Sequence, residues 1–574
     1  MTDPMTEPGT RRLTSLIPIL AWLPNYDRRW LSKDAIAGAS VWALLVPQGV
    51  AYASIAGVPP QYGLYAAMFG LALYAIFGSS RQVVTGPSAT VAAVSASAVG
   101  GIAAAGAALS DTWIAHTATL ALVAGLLYLA LGLLRMGWIS NFLSTSVLEG
   151  FVFGFGIGLT IDQAHKVLGT PKVEGSYLQV LVGTLRDLPQ TSLITLAVGG
   201  SAIVLLLLMR RLLPRWPRAL VVVVLGILAS TIFGLSENGV QVVGDVPTGL
   251  PGLTLPDFSG ETIRSLIAGG LAVIMVGFSE SLAAARAAAS KHGYDIDPSQ
   301  EMIAQGAANA GSGLFGGFAV AGSLSKTTVA DLAGQQTQLA SIINGGLILL
   351  TILFLAGLFT DLPEAVLGAV VIDAALGLIN VESLRRVARA GRRDLAAYLA
   401  AMIGLLAIGV LAGVLIGAVL SLLLLVAAAS SSPVRRLGFL QRENAYVDME
   451  EYPDSTEVEG VLIVDIAGPL FFADANGFRS TVMAMVDSES PRLVVIDMAP
   501  VTLVDLDGAE VLSRLHKELK ARNVRLVLAR IGREELTVLR RMGVLEEFGE
   551  RDLFVSTRSA VAAIDAPPTD DEGL

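Results

Sequence analysis

Thr85-Gly86-Pro87-Ser88-Ala89 and Ala321-Gly322-Ser323-Leu324-Ser325-Lys326-Thr327 decide how this chain folds. Each opens an apolar segment on glycine and small hydroxyl residues. The second segment, 322–334, is too short to cross a bilayer, because spanning the hydrocarbon core takes about 20 helical residues. Working outward, apolar windows and breakers place segments at 34–56, 60–78, 86–104, 112–135, 138–160, 192–212, 216–235, 263–288, 300–317, 322–334, 337–358, 362–380, 394–412 and 413–430. The two odd segments are each third in a set of seven. Interrupted segments at matching positions of two halves point to a binding site built on discontinuous helices. Glycines that only ease close helix packing are the simpler explanation for one such segment, but the matched pair favours a repeat. The expected fold is an all-α polytopic membrane domain of 14 transmembrane segments in a 7+7 inverted repeat.

Composition agrees. Hydrophobic residues make up 53% of the 574 positions and charged residues 15%, against about 25% charged in a soluble protein. The absence of cysteine excludes disulfides, thiolate metal sites and cysteine catalysis. His116, His165, His292 and His516 are scattered without metal-ligand spacing. Residues Met1 to Arg12 carry charge but no short apolar region with a cleavage site, so no removable signal peptide is expected. The net charge of −10 reflects acid concentrated near the C-terminus, as in Glu443 to Glu459, and nothing supports nucleic-acid binding. There is no Gly-x-x-x-x-Gly-Lys-[Ser/Thr] loop for an ATP-driven pump. No hydrolytic constellation is visible, so neither an enzyme nor a cofactor is expected.

An even number of spans puts both termini on one side. Arg28, Arg29 and Lys33 lie there with Arg81, Arg135, Arg210, Arg218, Arg286, Arg385 and Arg435, whereas Asp111, Glu237, Asp245, Asp257, Asp361 and Glu364 mark the other side. Basic residues concentrate on the cytoplasmic side. The expectation is a multi-pass protein of the cell (inner) membrane with both termini in the cytoplasm.

Beyond the spans the character changes. Val461-Leu462-Ile463-Val464, Leu493-Val494-Val495-Ile496 and Val524-Arg525-Leu526-Val527-Leu528 are short β-branched runs, separated by amphipathic stretches such as Gly508 to Arg522 and Arg533 to Met542. That alternation predicts a small α/β domain. The expected organisation is an N-terminal segment at 1–33, a transmembrane domain at 34–432 (repeats about 34–235 and 263–430), a linker at 433–447, the α/β domain at 448–565 and a disordered tail at 566–574.

The chemistry gathers at the breaks. A helix N-terminus presents unpaired N–H groups and about half a positive charge, so two such ends facing each other at mid-membrane make an anion cradle. Ser88, Ser323, Ser325 and Thr327 could add hydroxyl donors, or could cap their own helices. Lys326 is costlier: an ammonium near the midplane costs at least about 2.5–3.5 kcal/mol, which argues for a role in the site. Glu280 follows the uncharged run Leu266 to Gly277 and so lies inside the eighth segment. It could pair with Lys326, carry a coupled proton or help to bind a cation. Asp162 and Asp373 are read as span-end residues. In the first segment Pro47 frees backbone groups, and Gln48 and Tyr52, one turn apart, can line one cavity.

At these residues the chain resembles the SulP family of anion transporters over nearly its whole length. The resemblance rests on Val46-Pro47-Gln48-Gly49-Val50-Ala51-Tyr52-Ala53 with Pro59-Pro60-Gln61-Tyr62-Gly63-Leu64-Tyr65. Gly86-Pro87-Ser88-Ala89 and Gly293-Tyr294-Asp295-Ile296-Asp297, followed by Gln300-Glu301 and Asn309, also fit. It implies a core domain moving against a gate (scaffold) domain, a homodimer and a C-terminal STAS domain. It also carries binding positions over to Gln48, Tyr52, Ser88, Ser325 and Lys326, and a cation- or proton-coupling role to Glu280. With the residues flanking the two breaks, the candidate substrate-binding set is Gln48, Tyr52, Gly86, Pro87, Ser88, Ala89, Gly322, Ser323, Leu324, Ser325, Lys326 and Thr327. Two features depart from the family pattern. Most relatives have arginine where Lys326 stands, which removes a planar fork for oxyanions. Gly322-Ser323-Leu324 also differs from the Gly-Ala-Thr type of the sodium-dependent bicarbonate branch, which disfavours sodium coupling.

The α/β domain resembles STAS through Gly468-Pro469-Leu470-Phe471-Phe472-Ala473-Asp474-Ala475 and Val495-Ile496-Asp497-Met498. In Asp505-Leu506-Asp507-Gly508, aspartate stands where related anti-sigma antagonists carry a phosphorylatable serine, so an assembly role is expected. The function expected is secondary active transport of a small anion, with proton-coupled sulfate uptake by alternating access first. Bicarbonate or a dicarboxylate such as fumarate is the alternative substrate, and an anion channel or sensor the alternative class.

Overall fold

Apolar sequence that must leave no backbone group unpaired becomes helix, and each of the fourteen expected segments contains one in the computed structural model. The structure describes residues 16–102, 108–138, 144–213, 216–250, 252–253, 259–429 and 433–565. Its compact units are Met1–Ser421 and Leu422–Leu574. Among the described residues, seven helical stretches are long and apolar enough to cross a membrane, including Arg28–Ala56, Gly260–His292 and Glu364–Ala390.

Local signals set the ends. The first helix, Leu31–Ala56, stops at Gly57, whose φ of 74° suits glycine and whose N–H bonds back to Ala53 and Ser54. Three residues on, the second helix, Pro60–Phe77, begins with proline at its first position, where its missing N–H has no helical partner to lose. The odd segments are short helices: Ala89–Gly100 (the first half-helix) and Leu324–Leu332 (the second). Helices Tyr177–Arg186 and Val381–Ala390 were not among the expected segments.

Small residues let these helices approach closely. A Cβ on Gly63 would lie 2.0 Å from the Gly49 carbonyl oxygen, one on Gly125 2.4 Å from the Ala310 nitrogen, and one on Gly150 2.2 Å from the Tyr398 oxygen. The two breaks meet as a minimal ladder: β1 (Thr85–Gly86) pairs antiparallel with β2 (Ala321–Gly322).

The second unit carries a six-stranded sheet in the order β4-β3-β5-β6-β7-β8. Its strands are β3 Val434–Leu440, β4 Ala445–Asp448, β5 Val461–Ile466, β6 Leu493–Asp497, β7 Arg525–Ala529 and β8 Leu553–Phe554. Strands β5 to β8 are parallel neighbours, while β3 runs antiparallel to β4 and β5. This corrects the linker expected at 433–447: those residues form most of a hairpin that widens the sheet. Its two adjacent arginines are held in place, Arg435 by Asp465 at 2.8 Å and Arg436 by Glu489 at 2.7 Å. The N-terminal segment is described from residue 16, with a short helix at Ile19–Trp22, and the tail expected at 566–574 lies outside the described residues.

Gly63→Ala should destabilise the membrane unit by about 1–3 kcal/mol or more, the usual result of forcing atoms into a packed contact. Gly346→Ala, where nothing lies within 4 Å of the added atom, should be neutral or gain up to about 1 kcal/mol of helix propensity. Thermal unfolding of the two variants in detergent checks the contrast.

Candidate functional site

The two half-helices begin beside each other because their lead-in strands are paired. That pairing leaves polar groups on both strands, and buried side chains take them up. Asn309, fully buried, donates from Nδ2 to the Val320 carbonyl and accepts from the Val320 N–H, both at 2.9 Å, imitating a neighbouring strand. Ser281 Oγ accepts from the Gly322 N–H at 2.7 Å. Gln305 Nε2 donates to Thr85 Oγ1 at 3.0 Å. Thr327 Oγ1 accepts from the Val84 N–H at 3.1 Å, and Ser323 N–H donates to the Val84 carbonyl at 3.1 Å.

Neither half-helix is capped by its own side chain. Ser88 and Ser323 occupy the N-cap positions with extended backbone and no side-chain cap bond. The Ser88 hydroxyl instead donates to Glu280 Oε2 at 3.1 Å and lies 2.8 Å from Thr90 Oγ1. Thr90 donates to Glu280 Oε1 at 2.6 Å. The Ser323 hydroxyl turns to Ser325 at 3.1 Å. The N–H groups that caps would have taken remain available at both mouths.

Lys326 is 1% exposed. Its ammonium donates to the Pro87 carbonyl and stands 5.8 Å from the centroid of the buried Tyr52 ring, within cation–π range. It thereby ties the second half-helix to Pro87, two residues before the first, and to the first long helix. Glu280 and Lys326 form no direct ion pair among the described residues. Instead they hold consecutive residues, Ser88 and Pro87, from opposite sides. Gln48, one turn before Tyr52, leaves its side-chain oxygen buried without a partner among the described residues.

Of the expected set, Tyr52, Pro87, Ser88, Lys326 and Glu280 converge. Gly86 and Gly322 belong to the paired strands, and Ala89 is the buried first residue of its half-helix. Thr327 faces the Val84 backbone, so it serves the scaffold. Leu324 and Ser325 are exposed on the opening turn of the second half-helix. Asp373, read as a span-end residue, is instead buried well inside the helix Glu364–Leu378 and pairs with Arg218 at 2.9 Å. Thr90 and Ser281 were missed. A buried carboxylate requires donors for both oxygens, and a hydroxyl two residues after Ser88 was the available signal. Among the described residues no cluster could hold a metal ion. In the second unit, Asp505 caps the following helix through the Gly508 N–H at 2.8 Å and leaves Asp507 exposed.

Comparison with known proteins adds the lineage. The sulfate permease family model matches residues 31–401 and the STAS domain model residues 452–560. A probable sulfate transporter of Mycobacterium tuberculosis is 33% identical, covering 94% of this chain and 98% of its own. The chloroplastic sulfate transporter 4.1 of Arabidopsis thaliana is 30% identical over 96% of this chain and 82% of its own. The murine solute carrier 26 family member A9 anion transporter, in an inward-facing state, superposes with a TM-score of 0.89 at 26% identity, covering 99% of this chain and 97% of that one.

Asn309→Leu keeps the volume but orphans both polar groups of Val320, at about 1–3 kcal/mol each. A markedly lower unfolding temperature than wild type is the outcome to look for by circular dichroism of the full chain in detergent.

Proposed function

The chain belongs to the sulfate permease family, and we propose that it carries out proton-coupled sulfate uptake by alternating access. It is a multi-pass membrane anion transporter with a C-terminal STAS domain. The reading of sulfate draws on relatives named as sulfate transporters and on a site with one buried ammonium between two uncapped helix ends. Tyr52, Ser88, Ser325 and Lys326 are its proposed substrate-binding residues. We take both termini and the STAS unit to be cytoplasmic, from the distribution of lysine and arginine, and the working unit to be a homodimer.

The observation that carries proton coupling is the pair of hydroxyls on Glu280. An ionised carboxylate only accepts hydrogen bonds, so both Ser88 and Thr90 must aim their O–H groups at it. Ser88 then has no proton to offer an anion at the mouth of its half-helix. Once Glu280 is protonated, its own O–H donates to one hydroxyl and at least one of the two is released. Protonation also removes a negative charge from beside the anion. Each ligand therefore favours the other, which is the thermodynamic requirement of symport. Lys326 stays bonded to the Pro87 carbonyl throughout and supplies fixed positive charge. The loaded core then shifts against the gate to expose the site on the other side.

Bicarbonate or a dicarboxylate such as fumarate is the second reading, because Lys326 is a compact point charge without arginine's planar fork and does not by itself select among oxyanions. Competition of labelled sulfate uptake by bicarbonate and fumarate separates the substrates.

In proteoliposomes an inward proton gradient should stimulate sulfate uptake, and uptake indifferent to that gradient overturns the coupling. For one coupled proton, sulfate affinity should fall roughly tenfold per pH unit above the carboxyl's titration. Glu280→Gln should bind sulfate with no such slope. Lys326→Met should weaken binding about 10- to 100-fold, the range for losing a bond to a charged group, measured by equilibrium binding in detergent.

A further inference from the structure

The membrane unit contains a second polar space away from the half-helix site. A cavity of about 630 Å³ lies at the C-terminal end of the first helix, beside Ser54 and Gly57. It runs inward to Val50 and to Ala93, one turn from Ala89 at the mouth of the first half-helix. Its opposite wall is the end of helix Thr145–Leu168 and the turn that follows. Gly169 closes that helix at φ 69°, with its N–H and that of Thr170 both bonded to the His165 carbonyl. The closure brings His165, Lys166, Thr170 and Lys172 to one wall.

Two features of this wall call for a ligand. Thr170 is 7% exposed and its hydroxyl has no partner among the described residues; the side-chain oxygen of Gln163, 2% exposed, is likewise unpaired. Each unmade bond costs about 1–3 kcal/mol. Charge is the second feature. Lys166 pairs with Glu364 at 3.6 Å, and Asp162 accepts from Gln163 Nε2 at 2.7 Å. Lys172 is exposed and in no ion pair among the described residues. Asp162 and Glu364 therefore offset Lys166 and Lys172, and the ring of His165 decides the sign. Its Nδ1 lies 2.6 Å from the Asp162 carbonyl, leaving Nε2 to take up or give a proton. The charged and titratable groups facing it are Asp162 and Lys166 on its own helix, Lys172 in the turn, Tyr177 on the next helix and Glu364 across the cavity.

We propose that this cavity is a capture site for a small oxyanion, held by the Thr170 hydroxyl, the Lys172 ammonium and the protonated His165 ring before it passes to the half-helix site. The assignment rests on the anion-transport reading and adds to it a first binding step, strengthened by acid on the side opposite the N-terminus. A protonated His165 makes the space net positive and concentrates anions in it, whereas a neutral ring leaves it balanced.

The absence of cysteine in the chain permits a direct test in the full-length protein. Ala96→Cys, on the cavity wall, is labelled with an anionic sulfonatoethyl and a cationic trimethylammonium-ethyl methanethiosulfonate. Taking the ratio of the two rates cancels the thiol's own titration. Acidifying from pH 8 to 5.5 should raise the anionic-to-cationic ratio on the order of tenfold, as expected for one charge a few ångströms away in a partly screened site. Adding His165→Gln should abolish that rise, and Lys172→Gln should lower the ratio at both pH values. Sulfate should slow anionic labelling at pH 5.5, with Thr170→Val needing about tenfold more sulfate. A ratio indifferent to pH, or labelling that sulfate does not slow, overturns the capture site even if sulfate uptake is intact. A ratio that shifts as stated, with sulfate protection, upholds it even if uptake proves uncoupled from protons.

Discussion

Backbone that leaves the helical pattern inside a membrane must find its hydrogen bonds within the protein, because hydrocarbon supplies none. Everything distinctive in this structure follows from two such departures, at Thr85–Gly86 and Ala321–Gly322. The breaks satisfy one another as β1 and β2. That pairing fixes the distance and direction of the two half-helices at the same stroke, so the site is a consequence of how the breaks are satisfied. The groups left over are bonded by Asn309, Gln305, Ser281 and Thr327. Polar residues that would be costly in apolar surroundings are here the condition for having the breaks at all.

The same constraint explains why the charged residues sit where they do. Lys326 bonds to the carbonyl of Pro87, a residue with no N–H of its own to enter a ladder. Glu280 takes the hydroxyls at the cap position and first turn of the first half-helix. Each charge is thereby occupied by the scaffold as well as exposed to whatever enters between the helix ends. A direct Lys326–Glu280 pair would have neutralised both and left the cradle with its dipoles alone. Holding them apart by one residue keeps a positive charge at the site and a titratable group beside it.

The fold was largely legible in the sequence, and for a physical reason: spans declare themselves by length and hydropathy, and breaks by glycine and proline. Helix positions at Leu31–Ala56, Ala89–Gly100 and Leu324–Leu332 match segments read from those signals. The candidate site was suggested at Lys326 and Glu280 by a charge inside an apolar run, and the structure brings the two to consecutive residues, Pro87 and Ser88. Less visible was the division of labour among hydroxyls. Nothing in composition separates Thr90, which serves Glu280, from Thr327, which serves Val84; only the backbone direction does. The hairpin of β3 and β4 was read as linker because the β-branched runs that mark the α/β domain begin only at Val461, and the carboxylates that hold Arg435 and Arg436 lie far along the chain.

Two buried acids extend the logic of the breaks to the unit around them. Asp34, in the first turn of the first helix, accepts from the Gln336 and Thr337 N–H groups at 2.7 and 3.1 Å and from the Thr337 hydroxyl at 2.7 Å. These residues follow the second half-helix. Glu301, early in helix Pro298–Leu314, accepts from the Ser79 and Ser80 N–H groups at 2.9 and 3.0 Å and from the Tyr74 hydroxyl at 2.7 Å. These residues precede the first half-helix. An acid from each repeat thus clamps the chain next to the other repeat's half-helix. Both acids are fully buried, and breaking either cluster would strand a carboxylate away from water, at a cost of several kcal/mol. Together with β1 and β2, these clamps join the half-helices on both flanks. A displacement of one half-helix that leaves the other behind would have to break a buried acid cluster. Displacement of both, with the first helix and helix Pro298–Leu314, breaks neither. The cheap motion is therefore that of the whole group as a body, and it carries the site intact.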